Sequence, residues 1–278
     1  MKLDVLIPSR GRAQSLQAVL VSMDALSTGE HDVRYVVLCD EDDPAGTSTV
    51  ASRIQGINLK VIQGPRRLVN AWENEIIAAS DADAFMPWAD DLYCLSPGWD
   101  QIIKRVLEKV PAFSWQEIQD PQNHTAIVLD AKWVRTVGKF FPEHFPFWFS
   151  DTWLKEVFGF AYGANMPIVE ALQFSHNRTP TLNMRDLEFW FRVFAATRGE
   201  RISEAQRIVL AYDLKWKDPA PLLALFEQGD AMQLDRVPQY ERAFGANKGE
   251  PSAAYLEAKA KAEKLLAPEV ASVFAEAA

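Results

Sequence analysis

The chain is 278 residues long, 48% hydrophobic and 24% charged, which suits one large domain with appendages or two modest ones. Its formal net charge of −9 disfavours unassisted nucleic-acid binding, and any phosphorylated ligand would need a bridging cation. Two cysteines, Cys39 and Cys94, are too few for a disulfide framework or a Cys-rich zinc site; no signal-peptide core is visible and no apolar run approaches the roughly 18 residues of a membrane span, so a cytoplasmic location is expected.

The first apolar run, residues 3–8, reads as a buried strand closed by the loop Pro8-Ser9-Arg10-Gly11-Arg12. Leu16, Val19, Leu20 and Met23 then repeat at helical spacing up to the stop Ser27-Thr28-Gly29. Residues 34–39 form a second strand that runs into Asp40-Glu41-Asp42-Asp43, and residues 59–62 a third. Val69, Trp72, Ile76 and Ile77 mark a helix through Ser80, and residues 84–88 a fourth strand, again ending on acids, Asp90-Asp91. After the Ser96-Pro97-Gly98 turn come a helix over 100–110, a strand over 125–129 and a short helix over 131–137. The aromatic stretch 140–149 leads into a helix beginning at Ser150-Asp151, and residues 167–172 read as the last strand. From about residue 183 the pattern is helical, over 185–197, 203–216, 219–228 and 235–244, with an Ala/Glu/Lys-rich tail from 252 suited to packing or to a homo-oligomer contact.

Strand and helix alternate every 20–30 residues or so, which indicates βαβ units: an α/β, Rossmann-like, mainly parallel sheet flanked by helices, with a helical C-terminal extension. The natural division falls near residue 180, giving regions 1–180 and 181–278. Ligands of such sheets sit at the carboxyl ends of the strands. Here those ends are residues 9–12, 40–43 and 90–91, one polar and charged rim.

Several of these groups have two readings. Adjacent carboxylates such as Asp90-Asp91 repel unless screened, so they hold a divalent cation or form a solvated acidic turn. Asp151, at a helix start, either stabilises the helix dipole or presents a carboxylate that takes a proton; both can hold at once. Of the four histidines, His31 falls in a turn, His124 before a strand, His144 in the aromatic loop and His176 just after the last strand. The abundant aromatics, nine of them Trp, read first as core and second as a stacking surface.

Taken in order, strand-Pro-Ser-Arg-Gly-Arg, strand-Cys-Asp-Glu-Asp-Asp, Asn70 and Asn74 on a helix, strand-Ala-Asp-Asp-Leu and Pro-Gly-Trp resemble the GT-A glycosyltransferases, especially the inverting family 2-like group, over roughly residues 3–180. The resemblance implies that Pro8, Ser9 and Arg10 line a base pocket with Arg12 as an extra contact. It gives Asp40 to the base or ribose, Asn74 to the donor side, and Asp90 to the ribose or donor sugar. Asp91 and His176 become ligands of Mn²⁺ or Mg²⁺, and Asp151 the general base. Two departures stand out: the glycine-rich loop is reduced to Gly64-Pro65-Arg66-Arg67, and Ala89 opens the Asp-x-Asp element. Arg66 and Arg67 can offset diphosphate charge or be ordinary surface arginines.

The implied reaction is in-line displacement, with inversion, of a nucleoside diphosphate from its sugar by an acceptor hydroxyl. The acceptor can be a glycan, lipid, protein, small molecule or modified nucleobase. Trp115, Trp148 and Trp153 are candidates to stack on it, and Arg185, Arg192, Arg198 and Arg201 to form a basic face. Two alternatives compete. A nucleotidyltransferase would show a lysine in its first loop, and residues 8–12 contain none. A non-catalytic nucleotide-sugar or protein-binding module would tie Asp40 and Asp91 into salt bridges.

Overall fold

The computed structural model describes residues 1–122, 125–146, 149–177, 186–244 and 250–275. β1 (Lys2–Ser9) leads through α1 (Ala13–Leu26) to β2 (Asp32–Asp40), then α2 (Thr47–Ala51), β3 (Leu59–Gly64), α3 (Val69–Ala78) and β4 (Ala84–Pro87). There follow β5 (Leu92–Cys94), α4 (Trp99–Leu107), β6 (Ala112–Glu117), β7 (Ile127–Asp130), α5 (Ala131–Val137), α6 (Ser150–Tyr162) and β8 (Ile168–His176). Then come α7 (Leu187–Ala196), α8 (Arg198–Ala211), α9 (Ala220–Leu234), α10 (Val237–Phe244) and α11 (Ala253–Ala275). The chain forms two compact units: Met1–Phe141 with Met166–Thr179, and Pro142–Asn165 with Pro180–Ala278.

In the first unit eight strands make one sheet in the order β3-β2-β1-β4-β7-β6-β8-β5. β1 pairs parallel with β2 on one side and β4 on the other, and β2 with β3. Beyond β4 the sheet is mixed: β4–β7, β6–β7 and β5–β8 are antiparallel, β6–β8 parallel. The strand order reverses at β1, so the carboxyl ends of β1 and β4 flank a topological switch point, where α/β sheets bind ligands.

Burial on both faces explains the continuous apolar runs. Leu3, Val5 and Ile7 share a core with Leu16, Val19, Leu20 and Met23 of α1. Val36 and Leu38 face the other side, beneath Trp72 of α3. Each large side chain buried this way contributes on the order of 1.5–3 kcal/mol. The Pro-Gly-Trp turn serves the fold: Gly98, at φ 67°, donates to the Leu26 carbonyl (2.7 Å), and the buried Trp99 indole to that of Met23 (2.8 Å). α4 is thereby docked on the end of α1. Trp115 is also fully buried, so the stacking role considered for it is excluded.

In the second unit α6 packs on α8. Arg201 is fully buried, its guanidinium 3.8 Å above the Phe194 ring and its Nε donating to Glu156 of α6 (2.7 Å). Arg198 reaches the same glutamate and Asp230. These two arginines therefore hold helices together and cannot form a basic face. Arg192 is exposed but paired with Glu188 one turn back; Arg185 and Trp148 lie outside the described residues. Trp153 is buried with its indole N–H on Glu204 (2.7 Å), which withdraws it as a stacking surface. No described helix is long and apolar enough to cross a membrane.

Candidate active site

β1 ends in Ser9, whose hydroxyl donates to Asp90 Oδ2 (2.5 Å). The backbone then turns through Gly11, at φ 73°, and Arg12 takes the residue before α1. From there its guanidinium reaches both acids after β4: Nη1 to Asp91 Oδ2 (2.7 Å) and Nη2 to Asp90 Oδ1 (2.9 Å). Ser15, in the first turn of α1, donates to the Asp90 carbonyl (2.6 Å). The two aspartates are thus fixed by the β1–α1 loop, across the switch point.

Burial pushes the Asp90 carboxyl up to about 6, against the pull of Ser9 and Arg12. Burial also works against ionisation of Asp91, but His176 and Arg12 outweigh it and hold that carboxyl below its ordinary range. Asp91 is therefore a standing anion at neutral pH.

His176 arrives by register. β5 and β8 are antiparallel with Leu92 opposite His176, and the Asn177 N–H donates to the Asp91 carbonyl (2.9 Å). The imidazole Nε2 stands 3.6 Å from Asp91 Oδ1, and Nδ1 stands 3.6 Å from Oε1 of Glu117, at the end of β6. Two ligands each about 2.1 Å from one ion stand at most about 4.2 Å apart, so Asp91 and His176 fit a shared divalent cation. A carboxylate accepts Mg²⁺ or Mn²⁺, and an imidazole favours transition metals. Among the described residues no group of three His, Cys, Asp or Glu side chains could hold a metal, so the remaining positions would fall to the ligand and water.

Along the same rim Arg10 bonds Asp40 (2.9 Å) and also pairs with Asp42. Asp43 caps the loop, accepting from the backbone N–H groups of Gly11, Ala45 and Thr47. Pro8 lies inside β1 opposite Leu38. Asn74 is buried on α3, and its amide clamps the chain after α5: Oδ1 accepts from Phe140 and Phe141, and Nδ2 donates to the Phe141 carbonyl. Arg67 stacks over Trp72 and bonds Glu75, while Arg66 is exposed.

In the second unit Phe149, at φ 68°, precedes α6, and Asp151 lies in the first turn, accepting from the Thr152 N–H (2.8 Å). His144 stands 3.5 Å from Glu200 and within the same aromatic cluster as Trp153, which gives it a packing role.

Glu117 and Ser15 escaped the sequence reading. Glu117 belongs to a strand with no apolar run to announce it, and only the β6–β8 pairing brings it to His176. A polar residue ending a strand beside the rim was the signal available.

No protein-family model matches the chain, and no curated protein matches it in sequence. Solved structures do match in fold. The mannosyltransferase PcManGT from Pyrobaculum calidifontis, in complex with GDP-Man and Mn²⁺, superposes with a TM-score of 0.55 at 16% identity, over 98% of this chain and 80% of that one. S. aureus TarS 1–349 in complex with UDP gives 0.56 at 14%, over 72% of this chain and 65% of that one. The same TarS fragment with UDP-GlcNAc gives 0.54 at 13%, over 75% and 73%. The chain has the GT-A fold of these glycosyltransferases.

Proposed function

We propose that this chain is a glycosyltransferase that moves a sugar from a nucleoside-diphosphate sugar to an acceptor hydroxyl, with inversion and with Mn²⁺ or Mg²⁺ as cofactor. One observation carries the reading: Ser9, Arg12, Asp90, Asp91 and His176, from distant parts of the chain, meet at the switch point of a GT-A sheet. The solved structures of this fold named above hold GDP-Man with Mn²⁺, UDP and UDP-GlcNAc, which supports a nucleotide-sugar donor at the same rim.

In this reading Arg10 and Asp40 meet the nucleoside, with Pro8 and Ser9 shaping its pocket. Asp90, poised near neutrality, bonds a ribose or sugar hydroxyl. Asp91 and His176 hold the cation, which when bound stabilises negative charge on the departing diphosphate. Asp151 accepts the proton of the acceptor hydroxyl as that oxygen attacks the anomeric carbon. Asn74 serves through its clamp on residues 140–141.

A second reading has a specific observation in its favour. Asp40 and Asp91 both sit in salt bridges, with Arg10 and Arg12, as a non-catalytic nucleotide-sugar or protein-binding module would have them.

A screen of UDP-, GDP-, dTDP- and CDP-sugars with and without Mn²⁺, read by thermal shift and by donor hydrolysis, separates the two. The transferase reading expects one nucleotide class to bind, more tightly with Mn²⁺, and to turn over slowly. Binding without turnover under any acceptor favours the module. Metal-independent binding of every donor, or of none, would sink the transferase reading.

A further inference from the structure

We propose that Arg12 is an internal counter-cation for the Asp90–Asp91 pair, which a divalent cation must displace as it binds, so that the metal binds weakly alone and strongly only with a nucleoside diphosphate. The proposal rests on the nucleotide-sugar reading above and adds to it a linkage between metal and donor.

Both carboxylates are nearly buried, with side-chain exposures of 1% for Asp90 and 7% for Asp91. Two adjacent buried carboxylates need a positive charge beside them, and an arginine keeps its charge at any working pH. Arg12 supplies it, one guanidinium nitrogen to each acid. It takes Oδ2 of Asp91 and leaves Oδ1 facing His176. A divalent cation held by Asp91 and His176 would therefore share one carboxylate with a guanidinium of like charge. That repulsion weakens whichever cation is already there. The stable outcome is exchange: the metal takes the Asp91 carboxylate and Arg12 turns to an anion.

The guanidinium is suited to that move. Its Nε is buried and has no hydrogen-bond partner among the described residues, so the aspartates leave one donor unsatisfied. A planar fork of donors matches phosphate oxygens, which the diphosphate would bring to this rim. Its side chain, 25% exposed, is open enough to swing. Metal and nucleotide then assist one another by the same factor, as linkage requires.

The test titrates Mn²⁺ into the full chain, with free Mn²⁺ read by electron paramagnetic resonance, alone and with UDP or GDP. Wild type should bind Mn²⁺ weakly alone and roughly tenfold or more tightly with its preferred nucleotide, within the usual range of coupling. Arg12→Met should bind Mn²⁺ alone about tenfold more tightly than wild type and lose most of the nucleotide enhancement. Arg12→Lys, which keeps the charge, should stay near wild type. Thermal melts confirm folding, and Arg12→Gln replaces the Met variant if that one does not fold.

Equal or weaker Mn²⁺ binding by the folded neutral variant overturns the proposal. So does Mn²⁺ binding that survives Asp91→Asn, because the ion then lies elsewhere. A chain that shows the expected exchange yet transfers no sugar would leave this proposal standing and remove the transferase reading.

Discussion

The imidazole of His176 stands 3.6 Å from the carboxylate of Asp91 because β8, the strand that ends on it, runs antiparallel to β5, with His176 directly opposite Leu92. Behind the imidazole stands the fully buried Glu117, 3.6 Å from Nδ1. From there Glu117 flanks Nδ1 as an ion-pair partner, and drawn into hydrogen-bond distance it would orient the ring and set its tautomer for a metal. Replacing Glu117 by Gln should weaken Mn²⁺ binding about 10–100-fold while Asp91 and His176 remain in place. Isothermal titration with Mn²⁺ and nucleotide checks this. An unchanged affinity would reduce Glu117 to a packing role.

Asp151 carries the catalytic assignment in the second unit. Asp151→Asn keeps the first-turn geometry of α6 and removes the proton acceptor. Transfer should fall by roughly 10²–10⁴-fold, the usual worth of a general base. Donor affinity, measured separately by fluorescence or calorimetry, should stay within twofold or so of wild type if the residue acts on the acceptor alone. Transfer at the wild-type rate would exclude Asp151 as base and leave it a helix-dipole residue.

α6 itself is held by Glu156, which receives Arg201 from α8; the arginine is fully buried and the glutamate nearly so. Glu156→Leu leaves that guanidinium unpaired and should cost about 3–5 kcal/mol in urea unfolding. Adding Arg201→Met should recover much of the loss, because a matched apolar pair avoids the desolvation of the ions. If the double variant is no more stable than the single one, the arginine's stacking on Phe194 and Trp153 outweighs its charge.

The rim was legible in the sequence because parallel strands buried on both faces leave unmistakable apolar runs, and the acids follow those runs directly. Residues 9–12 and 90–91 could be placed at one edge without knowing how the loops turn. Their pairing could not, since Arg12 and the aspartates are joined by contacts across the sheet. β5 and β6 went unseen for different reasons: three residues are too few for any periodicity, and β6 alternates Ser, Gln and Glu into its run. The last apolar run covers 167–172, but the strand extends to His176 because β5 offers it partners. Trp115 and Trp153 looked available for stacking only because composition does not distinguish a buried ring from an exposed one.

Glu73 gives a prediction that lies outside the chemistry. It sits on α3 at 2% exposure, and its Oε2 has no hydrogen-bond partner among the described residues. Burial alone pushes its carboxyl from an ordinary 4.5 up to about 8. The folded chain thus keeps a proton that the unfolded chain releases above about pH 4.5, so the native state binds more protons across the interval between the two values. Stability should be highest on the acid side of that interval and decline as pH rises through it, by up to about 1.4 kcal/mol per pH unit from this group. Glu73→Gln mimics the protonated form and should flatten the decline, making the variant the more stable protein at pH 8. Urea unfolding of both chains at a series of pH values measures it. Parallel curves would mean that Glu73 is ionised in the folded chain and that a counter-charge reaches it.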